Sequence, residues 1–204
     1  MRIALSVLAA LLLSLAAPLA AQDQPVMYQP APAPALKPFD IGISAGMVLP
    51  GTINVEGVDV INSMSPFFKA HLDAYIVEKL AMGIYASYLM ITLDHVKGSS
   101  ATIPDAYNSA SGFEIGGTIK PCFKLSETVT LKPGLEIGYR HMSLEDLDDG
   151  INGMALGATI ELKFKAGGMS PFIAPGFISQ PAGGNSDVEV TWAPMITVAG
   201  GIEF

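Results

Sequence analysis

The segment VTWAPMITVAGGIEF, residues Val190–Phe204, decides the fold. Counting back from Phe204, the residues Ile202, Gly200, Val198, Ile196, Pro194, Trp192 and Val190 fall with it on one face of an extended strand. Glu203, Gly201, Ala199, Thr197, Met195, Ala193 and Thr191 fall on the other. Side chains of a strand point alternately to its two faces. One face is therefore apolar and the other small or polar, which suits the wall of a barrel that meets lipid outside.

The same alternation recurs seven times upstream. It predicts strands over Pro38–Leu49, Ser63–Ile76, Ala81–Leu93, Gly112–Lys124, Val129–Met142, Gly153–Lys165 and Met169–Ser179, with Glu189–Phe204 as the eighth. Each is long enough to cross a bilayer at a tilt, which takes ~9–11 residues. The connections alternate in length. Tight turns are predicted at Glu78-Lys79, Ser126-Glu127 and Gly167-Gly168, and long loops at Pro50–Asn62, Asp94–Ser111, Ser143–Asn152 and Gln180–Val188. Short turns at one end and long loops at the other, with an even strand count, describe a closed up-and-down barrel whose long loops are extracellular.

Parity assigns an outward face without charge. The first strand gives Phe39, Ile41, Ile43, Ala45, Met47 and Leu49, and the fourth gives Phe113, Ile115, Gly117, Ile119, Pro121 and Phe123. Aromatic residues gather in two girdles, Phe39, Phe123, Phe164 and Phe204 at the turn end and Phe68, Phe113, Tyr139 and Trp192 nearer the loops, as at the interfaces of a membrane wall. Two features run against the pattern. The third strand is apolar on both faces near Leu89, Met90, Ile91 and Leu93, which calls for a bulge. Pro66, Pro121, Pro133, Pro171, Pro175 and Pro194 fall inside strands, where each removes a ladder hydrogen bond.

With its alternating last strand ending in Ile202 and Phe204, the chain resembles the small outer-membrane β-barrel proteins of the OmpA/OmpX type. The resemblance covers about 38–204. It implies an all-β, eight-stranded antiparallel up-and-down transmembrane β-barrel in the outer membrane of a Gram-negative envelope. It also implies Ile202 and Phe204 as the assembly signal, delivery by periplasmic chaperones, and insertion by the barrel-assembly machinery. Outer-membrane lipid and lipopolysaccharide are the expected surroundings, with no peptidoglycan-binding domain.

The remaining segments fit export. Residues 1–21 read as a signal peptide, with Arg2 before an apolar run and Leu19-Ala20-Ala21 as the cleavage site. Residues 22–37 read as a Pro-rich periplasmic tail. Cys122 is the single cysteine, so no intrachain disulfide forms, and it reads as a small packing residue. The net charge of −8 argues against a nucleic-acid partner.

Function hangs on where the charges fall. Asp40, Asp73, Glu114, Glu136, Glu161 and Glu203 share the inward face with Lys69, Lys120, Lys124, Lys132, Arg140, Lys163 and Lys165, and His71 lies between Lys69 and Asp73. An eight-stranded barrel is just wide enough to be filled by its own side chains. These groups are therefore expected to pair and plug the lumen, since unpaired buried charge is costly. A narrow porin-like pore for small solutes is the alternative. The loops carry Glu56, Asp59, Asp94, Asp105, Glu145, Asp146, Asp148, Asp149, Asp187 and Glu189 against Lys97 alone. The cluster Glu145, Asp146, Asp148 and Asp149 is a weak cation candidate, because its spacing misses the calcium-loop pattern. A lipid A-modifying enzyme would need a Ser–His–acid set, for which His141, Ser143, Glu145, Asp146 and the pair Asp94-His95 are the candidates. The expectation is a non-enzymatic surface protein, without cofactor, that serves envelope integrity or adhesion through acidic extracellular loops.

Overall fold

The computed structural model describes residues 39–99, 103, 108–144 and 150–204. The signal peptide and tail expected at 1–37 and the acidic cluster of Glu145, Asp146, Asp148 and Asp149 lie outside the described residues. Among the described residues all regular structure is β: β1 (Phe39–Val48), β2 (Thr52–Val55), β3 (Val58–Asn62), β4 (Ser65–Val77), β5 (Leu80–Val96), β6 (Ser109–Pro121), β7 (Phe123–Lys124), β8 (Val129–Leu144), β9 (Ile151–Phe164), β10 (Ser170–Gly184) and β11 (Val190–Glu203). Antiparallel pairing runs from β1 through β4, β5, β6, β8, β9 and β10 to β11. The ring closes where β11 meets β1, from Gly42 opposite Glu203 to Val48 opposite Thr197. The eight spanning strands are those expected from the alternation.

The outer wall follows the parity of the sequence. Phe39, Ile41, Ile43, Phe113, Ile115, Ile160, Ile173 and Ile196 are all exposed. Phe39, Phe123, Phe164 and Phe204 stand outward at the turn end, and Phe68, Phe113 and Tyr139 nearer the loops.

Trp192 departs from this scheme. Ala193 and Pro194 together oppose Ser179, since Met195 pairs with Ile178 and Trp192 with Gln180. Two residues against one is a β-bulge, and it reverses the parity of everything beyond it. Trp192 and Val190 therefore point inward, at 5 % and 3 % exposure, rather than into the outer girdle.

The other prolines sit where the ladder can spare a bond. The β6–β8 pairing stops after Ile119 opposite Leu135 and resumes as β7 with Phe123 opposite Leu131. Pro121 and Pro133 fall in that gap. The β9–β10 pairing lapses at Ala174 and Pro175. Pro66 is the second residue of β4 and Pro171 the second of β10, just before the β9–β10 pairing begins at Phe172.

The first long connection is wall rather than loop. β2 and β3 form a hairpin whose two-residue turn, Glu56-Gly57, has positive φ at both positions (52° and 83°), the twist that suits a tight hairpin. β2 pairs with β11 and β3 with β5. The hairpin thus carries β1 and β4 onward past a kink, and the ring stays closed beyond it.

The third predicted strand also needs correction. β5 and β6 pair without interruption from Leu80 opposite Pro121 to Thr92 opposite Ser109, so the ladder is regular at Leu89–Ile91, and the bulge of this strand lies just beyond, at Asp94, where His95 faces Ile61 but Leu93 faces Asn62. Leu89 and Ile91 are inward and buried because the lumen there is itself apolar.

Candidate functional site

Two layers of charge fill the lumen between the turn end and its middle. In the turn-end layer Lys132, on β8, is fully buried and reaches Glu203 on β11 at 2.8 Å, Asp40 on β1 at 3.2 Å and Glu161 on β9 at 3.5 Å. Lys120 on β6 bridges Asp73 at 2.8 Å and Glu161 at 3.3 Å. Lys163 pairs with Asp40 at 2.7 Å and also with Glu203, and the Tyr75 hydroxyl donates to Asp40 at 2.7 Å. His71 Nε2 lies 3.0 Å from Glu203 Oε1 and 3.7 Å from Asp73 Oδ2.

The second layer is smaller. Arg140 donates from Nε and Nη2 to Glu114 at 2.9 and 2.6 Å, and Tyr85 donates to the other oxygen of Glu114 at 2.6 Å. Lys69 pairs with Glu136 at 2.5 Å and stands 4.3 Å from the centre of the Tyr85 ring. Charge-assisted bonds of this kind compensate the desolvation that burial imposes.

Above these layers the lumen turns apolar. Arg140 lies 4.1 Å from the centre of the Trp192 ring, so a cation–π contact joins the two regions. Val48, Ile53, Leu89, Ile91, Met142, Ile151, Val190 and Met195 then close the loop end. The cluster continues down the β10–β11 side through Ala199, Ala174 and Phe172. The lumen is thus filled by a charged layer below and a largely apolar layer above, with Asn62, Ser65 and Gln180 buried at the same end.

The structure brings together Asp40, Lys69, His71, Asp73, Glu114, Lys120, Lys132, Glu136, Arg140, Glu161 and Lys163 with Glu203 in this interior. Lys124 and Lys165 share their parity but lie past the end of the wall. Both are exposed, and Lys124 pairs with Glu78 in the neighbouring turn at 2.9 Å. That pair holds the Glu78 carboxyl below its ordinary value.

No family model matches the chain, and no curated protein matches it in sequence. Solved structures do. Neisserial surface protein A is similar with a TM-score of 0.52 at 12 % identity, over 81 % of this chain and 95 % of that one. The outer membrane protein OprG from Pseudomonas aeruginosa is similar with a TM-score of 0.53, again at 12 % identity and over 81 % and 95 % of the two chains.

The fold is that of the small outer-membrane β-barrels.

In such a barrel the side of the β2–β3 hairpin is the outer rim. Asn54 Nδ2 donates to Asp59 at 2.8 Å and Lys97 Nζ approaches the same carboxylate at 3.3 Å. The Asn54 bond, reinforced by Lys97, holds the Asp59 carboxyl below its ordinary value. The Oε1 atom of Glu56 accepts the backbone N–H of Glu189, which fastens the hairpin tip to the start of β11. Glu56, Asp187 and Glu189 face one rim pocket of about 440 Å³.

Among the described residues the hydrolytic candidates His141, Ser143, Asp94 and His95 form no triad, and Glu145 and Asp146 lie outside the described residues. His141 lies on the outward face of β8, where its Nδ1 is 2.7 Å from Asn152 Oδ1, an oxygen that Tyr139 also bonds. His95 meets Asp94 at 3.1 Å at the loop end of β5, with β6 between that strand and Ser143 of β8. Cys122 is buried, with Sγ 3.4 Å from the carbonyl of Lys120. Ile202 and Phe204 are exposed on the last strand beside β1.

Proposed function

We propose that the protein is a non-enzymatic surface barrel of the outer membrane whose lumen is closed and whose rim does its work, in envelope integrity or adhesion. The filled lumen carries this reading. A polar path through the turn-end layer would meet Met195, Trp192, Leu89 and Ile91 before reaching the rim, all at 5 % exposure or less. Ions do not cross a constriction of such side chains readily. The rim supports the other half of the reading. It extends as paired strands beyond the kink at Leu49–Gly51 and carries most of the acidic excess. The non-enzymatic reading is supported by His141, whose Nδ1 is engaged by Asn152 rather than by a carboxylate.

Single-channel recording of the folded chain in planar bilayers tests the closed lumen. The expected result is a membrane that stays silent after insertion, verified by the heat-modifiable gel shift of an intact barrel. Reproducible conductance steps that change on Glu136→Gln would replace the closed barrel with a pore. Lipid A mass spectra with and without the protein test the enzymatic alternative, and unchanged spectra are expected.

A further inference from the structure

On one side of the barrel the lipid-facing wall turns polar at a single rung. Phe113 of β6 lies opposite His141 of β8, and His141 lies opposite Asn152 of β9. On the next outward rung toward the turn end, Ile115 faces Tyr139 and Tyr139 faces Met154. Ile115, Phe113, Tyr139 and Met154 are exposed on the wall. With Phe113 and Tyr139 in the loop-end girdle, this rung sits where hydrocarbon gives way to head groups. Polar side chains at that height need polar partners, because hydrocarbon supplies none.

The rung is organised by its own hydrogen bonds. The Tyr139 hydroxyl donates to Asn152 Oδ1, and His141 Nδ1 lies 2.7 Å from the same oxygen. An amide oxygen only accepts, so both partners donate to it and the amide is held in one orientation. The His141 ring also packs on Phe113, with ring centres 5.4 Å apart and planes inclined at 37°. Some capacity is left over. The two N–H groups of Asn152 Nδ2 and the Nε2 atom of His141 bond no protein group among the described residues. Gly150 keeps that nitrogen reachable, since a Cβ there would come within 2.4 Å of Cε1 and 2.9 Å of Nε2.

The geometry points to a glycolipid-binding site at this rung, which takes a sugar ring of an outer-leaflet lipid. The Asn152 amide donates to the ring's oxygens, and His141 Nε2 meets one of its hydroxyls. The C–H face of the sugar lies on the exposed rings of Phe113 and Tyr139, whose faces carry negative charge density. Phosphate is the poorer ligand. No lysine or arginine stands on this rung, and the outward residues beyond it are Ser111 and Ser143, so a phosphate would find no cation to pair with. A few exposed hydrogen bonds hold a free sugar weakly, but acyl chains confine a glycolipid beside the rung at high local concentration. The ligand is therefore a membrane lipid and not a soluble saccharide. The inference needs this end of the barrel to face outward and is independent of whether the lumen conducts.

The test is NMR of the full chain folded into phosphatidylcholine nanodiscs, with and without a dephosphorylated glycolipid that carries a glucosamine disaccharide on acyl chains. Nuclear Overhauser contacts between sugar protons and the Phe113 ring are expected, together with a shift of the Asn152 side-chain amide. Absence of those contacts would overturn the proposal. A response seen only when the glycolipid keeps its phosphates would also overturn it, because the ligand would then be phosphate. The same disaccharide without acyl chains, at the same total concentration, is expected to leave the amide unmoved; a saturating shift would reassign the rung to soluble saccharides. Asn152→Ala, at an exposed position, should weaken glycolipid retention by about tenfold through its lost hydrogen bonds. Phe113→Leu keeps the wall apolar and should remove the ring contacts. Unchanged retention in both variants would refute the site. Should a variant fail to fold, the contacts in the unsubstituted chain still decide.

Discussion

Replacing Trp192 by Ala probes the parity reversal at Ala193–Pro194. The indole is 5 % exposed, packs in the apolar layer and carries Arg140 at 4.1 Å from its ring centre. An aromatic side chain of this kind buries about 200 Å², which at about 25 cal/mol per Å² corresponds to about 5 kcal/mol. Partial relaxation of the cavity and the compact unfolded state reduce this, so a loss of about 3–5 kcal/mol is expected. Urea titration followed by the gel shift measures it. The same residue supplies an independent check, since it is the single tryptophan of the chain. Its fluorescence should be insensitive to lipids brominated along their acyl chains. Strong quenching by those lipids, together with a loss below about 1 kcal/mol in the alanine variant, would place Trp192 in the outer girdle and refute the bulge.

Two further outcomes follow from the same geometry. Arg140→Met leaves Glu114 buried without the guanidinium that donates twice to its Oε2 and should cost about 3–5 kcal/mol in urea unfolding; adding Glu114→Gln should recover much of the loss, and failure to recover any would show that the pair is not coupled. The Asp59 carboxyl is held below its ordinary 3.8 by Asn54 and Lys97. Its stabilising bond is therefore present above that value and lost as pH falls through the lower folded one. NMR order parameters of Val58–Asn62 should stay constant from neutral pH down to about 5 and fall only in stronger acid; a decline that begins near neutrality would mean another group holds the hairpin.

The barrel itself was legible because lipid enforces alternation. Where the wall meets hydrocarbon, every second residue must be apolar, as from Phe39 to Ile43 and from Phe113 to Ile119. The charged interior was legible for the complementary reason, since Asp40, Lys132 and Glu161 can be tolerated only inward. Period two carries no information once both faces are apolar, which is why Leu89 and Ile91 suggested a bulge that lies further along, at Asp94 beside Leu93. It fails again when one extra residue slips the count, and Pro194 was the only local sign of the slip at Trp192. The hairpin was less hidden. Ile53, Val55, Val58 and Val60 flank Glu56-Gly57 in a short strand–turn–strand pattern, which its place in a presumed loop obscured. Lys124 and Lys165 show that parity assigns a face but not a height, because a strand can outrun the wall it belongs to.

The hydrocarbon layer under the rim also has an evolutionary meaning. Val48, Ile53, Met195 and Trp192 separate the loop charges from the ion pairs below. Carboxylates at Asp187 or Glu189 can be gained, lost or reversed without reaching the interior lysines, because those substitutions take place in solvent and salt screens them within about 8 Å. The stem can hold its internal accounts of charge while the rim drifts under selection by whatever it meets. Surface variation and structural constancy are thereby assigned to different ends of one small barrel.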